Sequence, residues 1–576
     1  MLEFIQLLKQ RYQAVLRRME NHHPQRPAYQ KHIEQLLLAE AFARKGLLLR
    51  THPRTALQIA VIGPTQAGKS SVVNRLLRAD MAGVSPLAGY TVHPHGYAHA
   101  VNREEYTGIP QYFAKFQALP EERLNREQLA SFSLSECPER SPWLPAAVLW
   151  DTPDFDSIDA LEYQEGLLRA IALADVIVLV VSKEKYADLS VWRVMQAIAG
   201  FRQPTLICLN KLSEDCKETL IASLGQKWRD HRVDQPPEIV PLMFKKPPLQ
   251  QEWPAEYAKA LPQLAGKAAR GGHAERQRQW LQQHWEAWLA PVYAEHQAEH
   301  EWRLLVDACA AEGLRRYQRD YLNHPHHYQT FQQAIIKLLH LLELPVVAKL
   351  AAQTRRALTW PIRQLRRLGQ EGTPLFGQEE VVLRQAGEQV LLQLADRLWD
   401  RQESGGGGFW RDAAAGLRGR REAILQAHEQ AVTVYLREFQ VDVASAADRL
   451  YVKLQEQPLL LNSIRATRAA ADTAALMLAL QAGGIGVHDL VLAPMMLTAT
   501  SLIAESAIGG HMARVEAELK ARQLAAVQTL FADGLQALLY DAPKHTEAGN
   551  RFNIPLAVCR QAEAKLNEKK HGIRFF

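Results

Sequence analysis

One short segment of the chain has residue types and spacing that suit the binding of phosphate groups. The segment from Gly63 to Ser70, GPTQAGKS, matches the pattern GxxxxGK[S/T] in full. The apolar run LQIAVI before it predicts a β-strand, and SSVVNRLLRA after it predicts the start of a helix. Because a strand, a glycine-containing loop and a helix N-terminus point backbone N–H groups at phosphate oxygens, the segment predicts a site for a purine nucleoside triphosphate with magnesium.

Individual residues around this loop have separate expected roles. Gly63 and Gly68 allow the backbone to turn tightly around the phosphates. Lys69 is expected to reach the β- and γ-phosphates, and the Ser70 hydroxyl is expected to bind magnesium. Further along, the apolar run AVLW ends in Asp151. Domains with such a phosphate-binding loop hold magnesium at a strand end of this kind. Asp151 is therefore the carboxylate predicted to hold magnesium, directly or through water.

The elements that must position these residues are short apolar runs that alternate with charged or helical sequence. Runs this apolar are typical of strands buried on both faces of a parallel sheet. The alternation predicts an α/β domain over residues 55–250, with a mostly parallel sheet flanked by helices. The runs are LQIAVIG, AVLWDTP, VIVLVVS, PTLICLN and EIVPLMF.

Helical periodicity dominates on both sides of this domain. Residues 1–54 predict an N-terminal helical segment, because apolar residues recur at helix spacing in two runs. Residues 251–576 predict a large all-α C-terminal region. One amphipathic face in it, whose tryptophans we expect to pack in a core, consists of Leu281, Trp285, Trp288 and Val292.

The order AGKSSVVNRLL, then DTP, then Asn210-Lys211 at the end of a predicted strand resembles the translation-factor-related class of P-loop GTPases. Within that class the sequence is most similar to the Era-like and dynamin-like branches, and the resemblance covers the α/β domain only. It implies binding and hydrolysis of GTP with Mg²⁺. It also makes Thr91 the first-switch threonine, which closes on magnesium and the γ-phosphate; a threonine that simply begins an ordinary strand is the alternative.

Three positions depart from the pattern of that class. Asp154 stands where the DxxG motif has glycine, and its side chain and charge should weaken triphosphate binding or change how the second switch closes. Phe155 follows, where a Ras-type protein has its water-positioning glutamine. A hydrophobic residue is usual there in the Era-like and dynamin-like branches. Those proteins complete catalysis with a monovalent cation or a partner subunit. Gln66 lies where some of them carry a residue linked to that cation. Ser213 replaces the aspartate of NKxD, so guanine selectivity should fall, and ATP or mixed specificity is an open alternative.

The resemblance and the loop together define the expected site. The histidines His93, His95 and His99 alternate along one face of a predicted strand, but no carboxylate or cysteine stands at ligand spacing, so we assign no metal besides magnesium. The predicted catalytic residues are Lys69, Thr91 and Asp151, the predicted magnesium ligands are Ser70, Thr91 and Asp151, and the predicted nucleotide-binding residues are Gly63, Gln66, Ala67, Gly68, Lys69, Ser70, Ser71, Asn210 and Lys211.

The most apolar part of the chain is residues 471–510, which glycines and a His-Asp pair divide into two runs. Each run is shorter than the roughly 18–20 residues that span a bilayer as a helix. A buried helical hairpin, a paddle that dips into one leaflet and two short transmembrane helices are the alternatives, in that order of preference. The basic amphipathic run from Arg355 to Arg367 suits an anionic membrane surface, or equally a solvated helix face.

Composition limits the function further. A formal net charge of +6 over 576 residues favours neither a nucleic-acid binder nor a membrane-surface protein. The chain has five scattered cysteines without a CxxC pair, and charged residues early in the N-terminus. We therefore expect a cytoplasmic protein, with a peripheral position at the inner face of a membrane as the further option.

The expected function is a GTP hydrolase and molecular switch that binds GTP or GDP. Its helical region would couple the nucleotide state to a membrane surface, to a protein partner or to a second copy of the chain. The alternative is a nucleotide-binding scaffold with little turnover, which Asp154 and Ser213 favour. A ribosome- or RNA-associated GTPase is the third hypothesis, against which stand the modest basic excess and the lack of a recognisable RNA-binding module.

Overall fold

The computed structural model divides the chain into two compact units. The first unit comprises Met1–His296 together with Gly549–Phe576, and the second comprises Gln297–Ala548. The domain limits expected from the sequence, at 54/55 and 250/251, stay a prediction. The structure describes residues 1–84, 91–125, 127–155, 161–232, 234–243, 252–268, 270–324, 329–342, 377–403, 408–464, 501, 503–506, 508–545 and 551–568.

The first unit contains a mostly parallel sheet of eight strands in the order β3-β4-β2-β5-β1-β6-β7-β8. All described pairings are parallel except that of β2 with β5. The strands are β1 (Leu57–Ile62), β2 (His95–His99), β3 (Gln117–Ala118), β4 (Ser131–Glu136), β5 (Ala147–Asp151), β6 (Val176–Ser182), β7 (Thr205–Leu212) and β8 (Ile239–Met243).

Each of the apolar runs in the sequence forms a strand of this sheet, namely β1, β5, β6, β7 and β8. The fold class predicted for this part, a mostly parallel sheet flanked by helices, is confirmed. Every residue of β5 and β6 is buried, which explains why these strands are apolar throughout and do not alternate with polar residues. The run EIVPLMF, which forms β8, ends at residue 244, and that last residue lies outside the described residues.

Helices cover the sheet and extend beyond it. The N-terminal helices that the periodicity predicts are present, and the second has a proline in its first turn, where the missing N–H costs no hydrogen bond. The helices of this unit are α1 (Leu2–Arg18), α2 (Arg26–Thr51), α3 (Lys69–Leu77), α4 (Ile109–Phe113), α5 (Leu161–Leu173), α6 (Leu189–Ala197), α7 (Lys217–His231), α8 (Ala260–Lys267), the start of α9 (His273–Tyr317), and α16 (Leu556–Asn567).

The segment Gly549–Phe576 completes the core of the first unit beside α1 and α2. The ring of Phe552 lies 4.8 Å from the ring of Tyr12 and 6.0 Å from that of Tyr29, measured between centroids. The backbone oxygen of Ile554 accepts a hydrogen bond from the His296 imidazole at 2.7 Å. The tryptophans of the expected amphipathic face of α9 are buried in the same core, as predicted.

The second unit is helical in its described residues and has its own core. Its helices are the end of α9, α10 (Gln329–Leu341), α11 (Gly377–Glu403), α12 (Gly408–Glu438), α13 (Gln440–Gln455), α14 (Gly509–Thr529) and α15 (Ala537–Asp541). This confirms the prediction of a large helical region after the α/β domain.

A buried carboxylate connects several helices of the second unit. Glu379 on α11 accepts hydrogen bonds from the Tyr317 hydroxyl at 2.7 Å and the Tyr435 hydroxyl at 2.8 Å. The Gln523 amide donates to the same oxygen at 2.7 Å, and the Thr330 hydroxyl lies 3.4 Å from the other oxygen. Burial raises the pKa of Glu379 even though these hydrogen bonds favour its ionised form.

Two features expected from the sequence fall largely or wholly on residues that the structure leaves undescribed. Of the apolar segment 471–510, only 501, 503–506 and 508–510 are described, and the basic run from Arg355 to Arg367 lies outside the described residues. Among the helices that are described, none has an apolar stretch long enough to cross a bilayer.

Candidate nucleotide-binding site

The loop between β1 and α3 is shaped by its glycines. Gly68, at φ +92°, lies just before the first residue of α3, in a conformation that side-chain-bearing residues rarely adopt. A Cβ atom on Gly63 would lie 2.1 Å from the backbone oxygen of Val180 on β6. The loop can therefore follow the ends of β1 and β6 only with glycine at these positions, as a tight phosphate-binding turn requires.

Lys69 begins α3 and is 5% exposed. Its ammonium group donates to the backbone oxygen of Pro64 at 3.4 Å and forms an ion pair with the buried carboxylate of Asp154. Asp154 is held in turn through its backbone, because the Tyr163 hydroxyl on α5 donates to the Asp154 carbonyl oxygen at 3.0 Å. The lysine expected to bind phosphates is thus already paired with a carboxylate.

Ser70, Asp151 and Thr91 meet beside the loop, although they come from a helix, a strand end and the segment before β2. The Ser70 hydroxyl donates to Asp151 Oδ2 at 2.7 Å and lies 3.5 Å from the Thr91 hydroxyl oxygen. Burial raises the pKa of Asp151 to about 6, against the opposing effects of Ser70 and Lys69. The other carboxylate oxygen, Oδ1, is buried and has no hydrogen-bond partner among the described atoms.

This donor set fits a magnesium ion. Hydroxyl and carboxylate oxygens are the ligands that magnesium takes, usually with several waters retained. A buried carboxylate oxygen without a partner costs free energy unless a cation or water satisfies it, so Asp151 Oδ1 is the strongest local feature in favour of a cation. Bound there, Mg²⁺ would neutralise charge on the phosphates. The roles assigned to Ser70, Thr91 and Asp151 stay predictions.

β7 reaches the loop from the other side through the Asn-Lys pair. The Asn210 amide donates to the backbone oxygen of Ala67 at 3.0 Å, and the Lys211 ammonium donates to that of Gln66 at 2.8 Å. A Cβ atom on Gly68 would lie 2.4 Å from the Asn210 amide nitrogen, so this close approach also needs glycine. These contacts bring all the predicted loop residues and the Asn-Lys pair into one site, with Ser71 on the first turn of α3.

The position predicted to read the base differs from the class pattern. Ser213 is exposed, and its hydroxyl oxygen lies 3.2 Å from the thiol sulfur of Cys216. A hydroxyl offers one acceptor group where the aspartate of NKxD offers two carboxylate oxygens. At the end of β7 a hydroxyl therefore stands where the class pattern has a carboxylate, and base recognition there stays a prediction.

The three histidines near this site have other partners. His93 Nε2 lies 3.0 Å from the Gln128 backbone oxygen, and His95 Nδ1 lies 2.8 Å from the Ser133 hydroxyl. His99 Nδ1 lies 3.1 Å from the Pro145 backbone oxygen. His95 and His99 both lie on β2, whose pleat places them on one face of the sheet, whereas His93 lies before the strand.

Comparison with known proteins agrees with this geometry. Residues 58–211 match the family model described as 50S ribosome-binding GTPase. The α/β part of this chain is a P-loop GTPase domain of the translation-factor-related class. This confirms the class that the sequence motifs indicate; the branch within the class is taken up below as a proposal.

The similar proteins differ in how much of the chain they match. The tRNA modification GTPase MnmE of Rickettsia bellii, in strains OSU 85-389 and RML369-C, is 54% identical over 48 residues, which is 8% of this chain and 10% of the relative. Two solved structures of an oligomerised bacterial dynamin pair, described as a mechanism for long-range sensing and tethering of membranes, align over 99% and 96% of this chain and 95% of theirs. They are 11% identical, with TM-scores of 0.34 and 0.32, values too low to establish a shared overall fold.

Two interactions of the site were not expected from the sequence. The GTPase motifs identified Asp154 as a residue whose side chain and charge would oppose the γ-phosphate, whereas it also forms the ion pair with Lys69. The need of a buried lysine for a counter-charge is the signal that could have suggested this pair. Tyr163 carries no such signal, because its contact with Asp154 depends on where α5 begins.

Proposed function

We propose that this chain binds GTP together with Mg²⁺ and hydrolyses it to GDP and phosphate as a molecular switch. The observation that carries the proposal is the convergence of Ser70, Thr91 and the partnerless buried Oδ1 of Asp151 beside the phosphate-binding loop. Positioning and electrostatics supply most of the catalysis in phosphoryl transfer, so the lack of an obvious general base is compatible with turnover.

The direct test is nucleotide binding and phosphate release by the whole chain. Fluorescent GTP, GDP and ATP analogues are titrated with Mg²⁺ into the wild type, Lys69→Ala and the matched control Lys31→Ala, whose side chain is exposed on α2. We expect Lys69→Ala to abolish binding and turnover and Lys31→Ala to preserve both. Equal binding by all three proteins would exclude the loop as the nucleotide site.

A second candidate function is a nucleotide-binding scaffold with little turnover. The ion pair between Lys69 and Asp154 favours it, because the carboxylate sits against the lysine that should contact phosphate. Phosphate release by Asp154→Gly distinguishes the two functions. A large gain in turnover over a nearly inactive wild type supports the scaffold, and an already active wild type supports the switch.

We further propose that the nucleotide state is relayed from the second switch to the N-terminal helices through α5. This helix carries Tyr163, which holds Asp154, and also Arg169. The buried Arg169 guanidinium donates to Glu165 at 2.7 Å and to Glu40 on α2 at 3.3 Å. Glu40 also pairs with Lys9 on α1, so one buried charge network joins three helices.

The partner at the receiving end is proposed from the class alone. As in dynamin-like or Era-like proteins, the helical region would couple GTP hydrolysis to the inner face of a membrane, to a protein or to a second copy of the chain. Co-sedimentation with liposomes in the GTP- and GDP-bound states tests the membrane option. Salt-sensitive co-sedimentation with ribosomes would favour an RNA-associated role instead.

A further inference from the structure

A basic cavity lies at the opposite edge of the sheet from the nucleotide site. It has a volume of ≈ 60 Å³ and opens between α2, the start of β6, the start of β7 and the α8–α9 connection. The length of β6 separates the cavity from the phosphate loop, and a strand rises roughly 3.3 Å for each residue. Its charged lining residues are Lys45, Asp175, Arg202, Lys267, Arg270 and Arg276.

Part of this charge has a structural explanation. Asp175 forms an ion pair with Lys45 at 2.9 Å and accepts a hydrogen bond from Arg270 Nε at 3.1 Å, so its charge is compensated. Lys45 also donates to the backbone oxygen of Ala174, just after the end of α5, at 2.7 Å. These contacts account for Lys45 and Arg270 as parts of the fold.

Two further cations of the lining, Arg202 and Lys267, add to this positive charge. Among the residues that the structure describes, neither Arg202 nor Lys267 forms an ion pair, and both are exposed at the mouth of the cavity. Burial lowers the pKa of Arg276, and the nearby charge of Arg202 lowers it further. Like charges held close together repel one another, and an anion between them would remove that repulsion.

The neutral lining residues do not offset this excess. Burial lowers the pKa of His273 to about 4, so the ring is neutral near pH 7, and its Nε2 lies 2.9 Å from the Phe42 backbone oxygen. Asp175 is the one carboxylate among the lining residues.

The size of the cavity limits the ligand. A cavity on this measure needs roughly 10–15 Å³ to hold one water molecule. The observed volume is several times larger, which suits a tetrahedral oxyanion.

We propose that this cavity binds a phosphoryl group, with Arg202 and Lys267 as its principal ligands and Arg276 deeper inside. The group can belong to a free phosphate compound or to a phospholipid headgroup. The proposal does not depend on the function of the nucleotide site.

The test is a calorimetric titration of the whole chain with inorganic phosphate at constant ionic strength. Lys69→Ala is used as the background, because it removes the phosphate-binding lysine of the nucleotide loop. In that background we compare the double variant Arg202→Gln/Lys267→Gln with the matched double variant Lys31→Gln/Arg140→Gln, whose side chains are exposed outside the cavity.

We expect saturable phosphate binding that the cavity variant weakens at least about tenfold and the control variant leaves within about twofold, because charged hydrogen bonds are lost only in the former. The charge-conserving pair Arg202→Lys/Lys267→Arg should retain binding, which separates loss of charge from misfolding. Absence of saturable binding, or equal weakening by both double variants, would overturn the proposal.

Vesicles distinguish the two sources of the phosphoryl group. Phosphatidylcholine vesicles with and without phosphatidic acid are sedimented with the same proteins. Retention that requires phosphatidic acid, is lost in the cavity variant and is competed by inorganic phosphate supports the cavity with a lipid ligand. Phosphate binding without retention supports it with a free ligand.

Discussion

Lys69 is buried, and a buried ammonium group needs a counter-charge. Asp154 supplies one within the protein, and the phosphates of a nucleotide would supply a stronger one. The two anions therefore compete for the same cation, since both cannot approach its Nζ without repelling each other. Part of the free energy of nucleotide binding must be used to displace the Asp154 carboxylate.

We expect Asp154→Gly to increase the affinity for GTP with Mg²⁺ about tenfold or more, because breaking a hydrogen bond to a charged group costs about 1.5–3 kcal/mol. Fluorescence titration with a GTP analogue measures this. Asp154→Asn, which keeps the size and removes the charge, should give a gain in the same direction. Affinity equal to or below that of the wild type in both variants would show that Asp154 does not compete with phosphate.

We expect Ser213 to affect a separate property, the choice of base. Ser213→Asp restores the carboxylate of the NKxD pattern, and two charge-assisted hydrogen bonds to guanine should raise the ratio of GTP to ATP affinity about ten- to a hundredfold. Competition titrations with unlabelled GTP and ATP give this ratio. Ser213→Ala is the matched control and should leave it near the wild-type value; an unchanged ratio in Ser213→Asp would mean that the base lies elsewhere.

At the scale of elements, the buried charges between α1, α2 and α5 make the first unit sensitive to acid. Burial by itself raises the pKa of Glu40, but the charges of Lys9 and Arg169 outweigh it and lower the pKa to about 2 from an ordinary 4.5. A lowered carboxylate pKa stabilises the fold above the ordinary pKa. That stabilisation, about 3 kcal/mol, is lost as the pH falls from 4.5 through 2.

Glu40→Gln should therefore destabilise the protein at pH 6 and much less so near pH 2–3. Urea unfolding followed by tryptophan fluorescence at stepped pH values measures the difference from the wild type. The exposed Glu104, changed to Gln, serves as the control and should show little difference at any pH. A difference between Glu40→Gln and the wild type that stays constant with pH would contradict the assigned network.

The sequence predicted the elements of the sheet unevenly, for a physical reason. Strands buried on both faces, such as β6, are short apolar runs rich in β-branched residues, and this pattern is visible in the sequence. β4 reads SFSLSE and β3 has two exposed residues, so neither carries that pattern, and both were missed.

The candidate site was predictable for a related reason. Gly63, Gly68, Lys69 and Ser70 are adjacent in sequence, and their spacing alone encodes the loop. The pairing of Lys69 with Asp154 joins residues 85 positions apart. It therefore depends on the fold, which brings the end of β5 close to the start of α3.

At the scale of the whole molecule, each unit has its own buried core and its own polar network. Glu379 in the second unit has a raised pKa, so its ionised form is disfavoured by folding, and the stability it contributes is lost as the pH rises above the usual glutamate range. Glutamine keeps the acceptor oxygen for Tyr317 and Tyr435 and never ionises.

We expect Glu379→Gln to raise the unfolding temperature at pH 7 by roughly 2–4 °C for each kcal/mol gained, without changing nucleotide affinity. Calorimetry and the GTP titration measure the two quantities. Glu379→Leu should instead lower the unfolding temperature, because several buried donors lose their acceptor. Equal destabilisation by both substitutions would mean that the charge itself holds the helices.

The return of Gly549–Phe576 to the first unit has a consequence for biosynthesis. A ribosome delivers the chain from its N-terminus at about 5–20 residues per second, so roughly 10–50 s pass while Gln297–Ala548 is made. During that interval Tyr12 and Tyr29 lack the ring of Phe552 that covers them in the folded unit. The nascent GTPase domain therefore exposes an aromatic surface until Gly549–Phe576 has been made, and chaperones have that time to bind it.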